Sequence, residues 1–300
     1  PNQYALFNNQ NPYIPGSDQG YHLGTLPAMF EPLIMFNVIT GEHENWLAET
    51  WEYNQDHTVI TMTLRQGIEW SDGHPLTTKD VAFTFELLKQ NAGSMVHLAD
   101  LPEFFDSTQV IDERTFRLVL NQPGPAFWAS TLSSSHGVHI LPEHIWKDVD
   151  PLEFTNHDIE AGLPLGTGPY QLVYASPYQK IYDLRKDWWA ARTGFQRLPR
   201  VERIIYVPQQ DESQAAQLLL TDQLDMGFIM QVLTLESVLE RNDQIMTFTE
   251  REPPYGYLDW CPIDLSLNCS AAPFDNPQIR QAISLAVDRD KLVGLAESGA

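Results

Sequence analysis

Three histidines close together in the chain have the spacing that best suits metal chemistry. His136 and His139 stand three residues apart, and His144 follows five residues later. Zinc or nickel would need their imidazole nitrogens to converge at about 2.0–2.1 Å from one ion. Leu141 and Pro142 indicate a change of chain direction that separates the imidazoles. We therefore predict no metal site at these residues, and we expect His136 to act as a single hydrogen-bonding group in a ligand pocket.

Carboxylates are abundant, but their spacing selects no catalytic pair. Glu42, Glu44 and Glu49 could supply an acid/base pair for glycoside hydrolysis, so a carboxylate-based glycoside hydrolase is one alternative function. The sequence contains no Gly-x-Ser-x-Gly elbow and no phosphate-binding Gly-x-x-x-x-Gly-Lys loop. The run GTGP at 166–169 looks like a glycine-rich loop, but Pro169 lacks the N–H that a phosphate would need. We interpret that run as a turn and predict that the protein is not an enzyme.

Eight tryptophans offer flat apolar faces. Trp46, Trp51 and Trp70 occur in apolar, periodic surroundings that favour core packing, as do Trp188 and Trp189. Trp128 lacks such surroundings, and its ring can stack on a sugar or on a peptide side chain. We predict that Trp128 contacts a ligand, with an anchoring role in the core as the alternative.

The charge of the chain limits its partners. Forty acidic residues against 18 basic ones give a formal net charge of −22. This charge disfavours nucleic acid and anionic membrane surfaces as partners. No apolar run approaches the roughly 18 residues of a membrane span, and the sequence does not open with a signal peptide.

Three segments carry clear secondary-structure patterns. Residues 59–90 read as a strand, a turn at Ser71-Asp72-Gly73 and a helix capped by Thr77. Residues 203–229 read as a strand, a helix capped by Asp211 and a second strand, which predicts a βαβ unit and a partly parallel sheet. Residues 277 to about 293 read as one helix with an apolar stripe.

The chain resembles the bacterial extracellular solute-binding proteins of family 5, the peptide- and nickel-type receptors of ABC importers. The resemblance begins with WLAETW at 46–51, LRQG at 64–67, WSDG at 70–73 and TTKDV at 77–81. It continues with FEPL at 30–33, ILPEHIW at 140–146, GTGPY at 166–170, PFDNP at 273–277 and RQAIS at 280–284. His144 then belongs to a structural turn-to-helix motif.

The resemblance implies an α/β fold of the periplasmic-binding-protein type II, with a mixed sheet and an inserted α+β subdomain. Residues 1–31 and 163–255 would form the core of the first lobe, with residues 32–162 as the insertion. Residues 256–272 would be the hinge, and residues 273–300 would begin a second lobe that is largely absent from the chain.

The resemblance also implies capture of a ligand between two lobes and delivery to an ABC permease, without catalysis. We expect a peptide or an oligosaccharide, with a nickel chelate as the alternative. The loop that contains Tyr21, His22 and Leu23 would face the cleft, and Asp259 and Trp260 would contact ligand from the hinge. The location would be extracytoplasmic, in the periplasm or on the cell surface. A secretion signal or a lipid-anchor cysteine would then precede this sequence.

Two cysteines, Cys261 and Cys269, suit a disulfide in an oxidising compartment only under one condition. In a single strand they would lie about 26 Å apart, whereas a bridge needs α-carbons within about 7 Å. We expect a bridge only if residues 262–268 fold back as a hairpin.

Overall fold

The computed structural model describes residues 7–14, 28–37, 40–95, 100–133, 137–208, 211–227, 231–253, 255–256 and 265–296. Residues 293–296 are described by backbone alone. The chain divides into two compact units, residues 1–208 and 209–300. The subdomain boundaries implied by the family resemblance stay predictions.

The strands of the described residues form three sheets. The strands are β1 (Ile34–Asn37), β2 (Glu42–Asn45), β3 (Ala48–Tyr53), β4 (Val59–Leu64), β5 (Phe105–Val110), β6 (Thr115–Leu120), β7 (Tyr170–Ala175), β8 (Lys180–Leu184) and β9 (Arg203–Tyr206). The sheets have the strand orders β1-β2, β3-β4-β6-β5 and β7-β8-β9. Every strand pair in them is antiparallel. Parallel pairing among the described residues is limited to one isolated bridge, between Ile34 and Ser133.

The described residues also form helices. They are α1 (Thr78–Asn91), α2 (Leu101–Phe104), a π-helical turn (Trp128–Leu132), α3 (Glu143–Trp146), α4 (Trp189–Arg192), α5 (Glu212–Leu220), α6 (Val232–Arg241), α7 (Pro277–Ala286) and α8 (Arg289–Ala296). No helix in the part of the chain that the structure describes is long and apolar enough to cross a membrane.

The strand–turn–helix prediction for residues 59–90 is confirmed. In β4, Ile60, Met62 and Leu64 are fully buried, as the alternation of apolar and polar residues predicts. Thr77 caps α1, and its hydroxyl accepts the Lys79 N–H. Thr77 and Asp80 also form a capping box, in which the Thr77 side chain accepts the Asp80 N–H and the Asp80 carboxylate accepts the Thr77 N–H. The buried face of α1 packs into the main core of the first unit.

The GTGP run at 166–169 forms a bend because another backbone segment passes close to it. The Gly168 N–H donates to the Met29 carbonyl at 2.7 Å. A β-carbon on Gly166 would lie 2.2 Å from that carbonyl oxygen, and one on Gly168 would lie 2.4 Å from the Ala28 oxygen. Only glycine permits this approach.

The predicted βαβ unit is wrong in the described residues. Asp211 caps α5 as expected, by accepting the Gln214 N–H at 2.9 Å. Residues 224–227 form no strand, however, and residues 228–229 lie outside the described residues. Within the described part of the chain, β9 pairs with β8 alone, antiparallel. The reason lies at the end of α5, where Asp222 adopts a φ of 60° and the Gln223 N–H bonds back to the Leu218 carbonyl. The chain then enters α6, which packs against α5.

The single helix predicted from residue 277 to about 293 is two helices. Asn276 caps α7 as expected, by accepting the Gln278 N–H at 2.9 Å. Val287 is extended, with a φ of −77° and a ψ of 112°, and it ends that helix. Asp288 then starts α8 by accepting the Lys291 N–H at 3.0 Å. Apolar periodicity continues across the break, so it could not reveal the new cap.

Cys269 carries a free, exposed thiol, whereas Cys261 lies outside the described residues. Residues 265–268 form no strand.

Candidate ligand-binding site

The structure describes one of the residues predicted to contact ligand, Trp128. The other six lie outside the described residues and stay predictions: Tyr21, His22, Leu23, His136, Asp259 and Trp260.

Trp128 begins the π-helical turn and is anchored to β3. Its backbone N–H donates to the Tyr53 hydroxyl oxygen at 3.3 Å, and that hydroxyl donates to the Gly124 carbonyl at 2.8 Å. Partial burial raises the pKa of the Tyr53 hydroxyl, so it stays protonated at neutral pH and can serve as this donor. The main chain at Trp128 is therefore fixed by a residue far away in sequence.

The Trp128 ring lies in a group of aromatic side chains that we call the aromatic shelf: His43, Trp51, Tyr53 and Trp128. The rings of Trp51 and Trp128 stack with centroids 5.7 Å apart and an interplanar angle of 30°. His43 lies 5.0 Å from the Trp128 centroid. The Trp51 indole N–H donates to the Asn45 side-chain oxygen at 3.0 Å, which fixes the orientation of that ring.

The shelf lies at the edge of the main core. Trp51, Tyr53 and Trp128 pack against core residues, yet each remains half-exposed, and His43 is exposed. Partly exposed, stacked indoles can bind a sugar ring or an apolar peptide side chain by its flat face. Trp128 therefore packs against the core, and its contact with a ligand stays a prediction.

The sequence pattern missed Trp51 as a member of this group, because its surroundings favoured the core. Trp70, Trp188 and Trp189 are buried, as predicted. Trp51 and Tyr53 are two residues apart in β3, so their side chains lie on the same face of the strand. This spacing is the sequence signal that could have placed Trp51 in the group. The signal does not show that Trp51 meets Trp128, which β3 holds through the long-range hydrogen bond from the Trp128 N–H to the Tyr53 hydroxyl.

His139 and His144 are the two described members of the three histidines at which we predict no metal site, and their surroundings differ. His139 is buried, and its backbone N–H donates to the Tyr13 hydroxyl at 2.8 Å. The His144 Nε2 lies 2.8 Å from the Asp72 Oδ2. Asp72 lies in the WSDG motif, within the turn that the sequence predicts at Ser71-Asp72-Gly73.

A buried carboxylate, Glu31, lies in the FEPL motif. Its Oε1 accepts the Trp46 indole N–H at 3.0 Å, and its Oε2 accepts the Trp189 indole N–H at 2.7 Å. Burial raises the pKa of Glu31 to about 7, although these hydrogen bonds act in the opposite direction. Glu31 is 3% exposed, so it supports the core and is not accessible to a ligand.

The carboxylates considered for hydrolysis show no such burial. Glu42 and Glu44 are exposed on β2. Glu49 forms an ion pair with Arg114, with 2.6 Å between Oε2 and Nη2.

Comparison with known proteins identifies relatives along most of the chain. The family model for bacterial extracellular solute-binding proteins, family 5 Middle, matches residues 42–300. The glutathione-binding protein GsiB of Pectobacterium atrosepticum is 26% identical over 258 residues, which are 85% of this chain and 45% of that protein. GsiB of Escherichia coli K12 is 26% identical over 85% of this chain and 46% of that protein. This chain thus spans about half the length of these curated relatives.

Solved structures agree with these matches. A periplasmic oligopeptide-binding protein from Thermotoga maritima, with mannohexaose bound, has a TM-score of 0.73 and 27% identity. The match covers 92% of this chain and 49% of that one. The oligopeptide-binding protein AppA of Bacillus subtilis, in complex with a nonapeptide, has a TM-score of 0.66 at 18% identity and shows the fold alone. The match covers 91% of this chain and 50% of AppA. The fold is therefore that of periplasmic solute-binding proteins, and the chain belongs to the bacterial extracellular solute-binding proteins of family 5.

Proposed function

We propose that this protein is the extracytoplasmic solute-binding component of an ABC importer, which captures a peptide or an oligosaccharide without changing it. The observation that carries the proposal is the family match over residues 42–300. The family resemblance implies an ABC permease as the partner that receives the ligand. Both GsiB relatives are named as binding proteins, which supports capture rather than catalysis.

Two comparisons support the ligand class. The GsiB relatives are named for glutathione, and the Thermotoga protein is an oligopeptide-binding protein that holds mannohexaose. A half-exposed pair of stacked indoles suits either kind of ligand, because both present apolar faces as well as hydrogen-bonding groups. A nickel chelate is the alternative that the binding experiment must include.

We further propose that the ligand contacts Trp128, with Trp51 beneath it as a stacking support. Tyr21, His22, Leu23, His136, Asp259 and Trp260 are the other proposed contacts. Trp128 is the member of this set for which the described residues supply an argument, since its ring is stacked, oriented and half-exposed.

The test is calorimetric titration of the intact protein with glutathione, short peptides, mannohexaose and a nickel–histidine chelate. We expect saturable binding of a peptide or an oligosaccharide, with one ligand per protein. Chromatography after prolonged incubation should recover the ligand unchanged. Cleavage of a peptide or glycosidic bond would contradict the proposal, and saturation by the nickel chelate alone would replace the proposed ligand class.

A further inference from the structure

A cluster of metal-ligating side chains lies on the first unit and shares no residue with the aromatic shelf. Asp72, His74 and His144 each offer one ligand atom, and these atoms all lie within 4.8 Å of one another. Across the described ranges, no other group of three or more His, Cys, Asp or Glu side chains meets in this way.

Asp72 is the oriented centre of this cluster. Its Oδ1 accepts the backbone N–H of His74 at 3.0 Å, which directs Oδ2 toward both imidazoles. The His144 Nε2 lies 2.8 Å from Oδ2, and the His74 Nδ1 lies 3.0 Å from the same oxygen. Burial raises the pKa of Asp72, but hydrogen bonds and charge from the two histidines outweigh it and leave the pKa below its usual value. The carboxyl is therefore ionised at neutral pH.

We propose that Asp72, His74 and His144 form a binding site for a divalent transition-metal ion of the zinc or nickel class. Imidazole nitrogens suit both ions, and a carboxylate oxygen is a common third zinc ligand. A tetrahedral ion with bonds of about 2.0–2.1 Å holds its ligand atoms roughly 3.3 Å apart. The two His–Asp separations of 2.8 and 3.0 Å are close to that spacing.

A small movement of His74 would complete the site. The two imidazole rings stack, with centroids 4.3 Å apart and planes inclined by 28°. The His74 side chain is 62% exposed and follows a turn, so its ring has room to tilt toward a shared ion. His144 is 29% exposed and lies in the short helix α3, so it is the more constrained of the two histidines.

The ion would join two segments that are distant in sequence, the turn at 71–74 and helix α3. It would take the place of the hydrogen atoms between Asp72 and the two imidazoles; each neutral ring would then carry its hydrogen on its other nitrogen, with no net release of protons. Because protons compete with metal ions for imidazole nitrogens, we expect binding to weaken in acid. The inference does not depend on the class of solute that the receptor captures.

The test is calorimetric titration of the chelator-stripped protein with zinc chloride and with nickel chloride, at about pH 7.5, where free imidazole is neutral. We expect one ion per chain, with an affinity in the micromolar range. Loss of even an outer-sphere partner costs a metal site roughly 10–100-fold. His74→Ala, which removes an exposed ligand, should therefore weaken binding at least about tenfold.

Two further variants make the test specific. His57→Asn is the matched control, because His57 is an exposed histidine outside the cluster with a φ of 57°, which asparagine tolerates. It should leave the affinity unchanged. Asp72→Asn should weaken binding as His74→Ala does. Zinc should also raise the melting temperature of the wild-type protein, and it should not do so for His74→Ala.

Three results would overturn the site. These are no measurable binding, an equal affinity in wild type and His74→Ala, and several ions per chain whose binding none of the variants changes. The last result would mean adventitious binding to the acidic surface.

Discussion

The indole N–H of Trp189 donates to the carboxylate of Glu31 across 2.7 Å, although the two residues are 158 positions apart in the chain. The bond ties the FEPL motif to α4 inside the first unit. Trp46 donates to the other oxygen of the same carboxylate at 3.0 Å. The FEPL and WLAETW motifs and helix α4 thus meet at one buried acid.

The first prediction concerns the pH dependence of stability. The pKa of Glu31 rises from 4.5 to about 7 on folding. Between these pH values the folded protein holds a proton that the unfolded chain has lost. The free energy of unfolding therefore falls as pH rises through this window, by roughly 3 kcal/mol from this group, and levels off above about pH 7.

Urea unfolding at several pH values checks this prediction, with Glu31→Gln as the comparison. The variant should lack this contribution to the slope, since glutamine does not titrate. It should also be less stable at low pH, because its amide group cannot accept the second indole hydrogen bond. Equal slopes in the two proteins between pH 4.5 and 7 would contradict the raised pKa.

The second prediction concerns Trp128. Trp128→Ala should weaken ligand binding by about 1–3 kcal/mol, which is the usual loss for a contacting aromatic residue. Trp51→Ala should weaken it less, because in the proposed arrangement Trp51 stacks on Trp128 and does not itself contact the ligand. Calorimetry of both variants and of the double variant measures their coupling. A large fall in melting temperature with unchanged affinity would make Trp128 a core residue only.

The third prediction concerns Trp260, at the hinge implied by the family resemblance. If its ring stacks on the ligand, Trp260→Ala should lower the affinity by about 1–3 kcal/mol with little change in melting temperature. Parallel calorimetry and thermal unfolding separate the two effects. Unchanged affinity together with a large loss of stability would show that this residue anchors a core.

The fourth prediction concerns the GTGP bend. Gly166→Ala should destabilise the first unit by at least about 2 kcal/mol, because the new methyl group would overlap the Met29 carbonyl oxygen. Gly93→Ala is the matched control, since a β-carbon there meets nothing within 4 Å. Thermal unfolding should show a clear loss for the first variant and almost none for the second. Equal stabilities would mean that the two backbone segments can separate without cost.

Much of the local structure could be predicted because its causes are local. The alternation in β4, the capping box of Thr77 and the caps at Asp211 and Asn276 depend on residues within a few positions of one another. The motif order likewise identified the family, and the match over residues 42–300 confirms it. The βαβ prediction failed because a strand needs a pairing partner, and no periodicity shows where that partner lies.

The candidate sites depend on contacts over longer distances in the chain. Trp128 meets Tyr53 across 75 residues, and His144 meets Asp72 across 72. Residue types selected Trp128, but they could not supply the stacked Trp51, and the spacing of the histidines argued against a metal site and gave no sign of the carboxylate that His144 meets. Local patterns reflect the propensity of a segment, whereas these partners meet because buried apolar surfaces bring distant segments together.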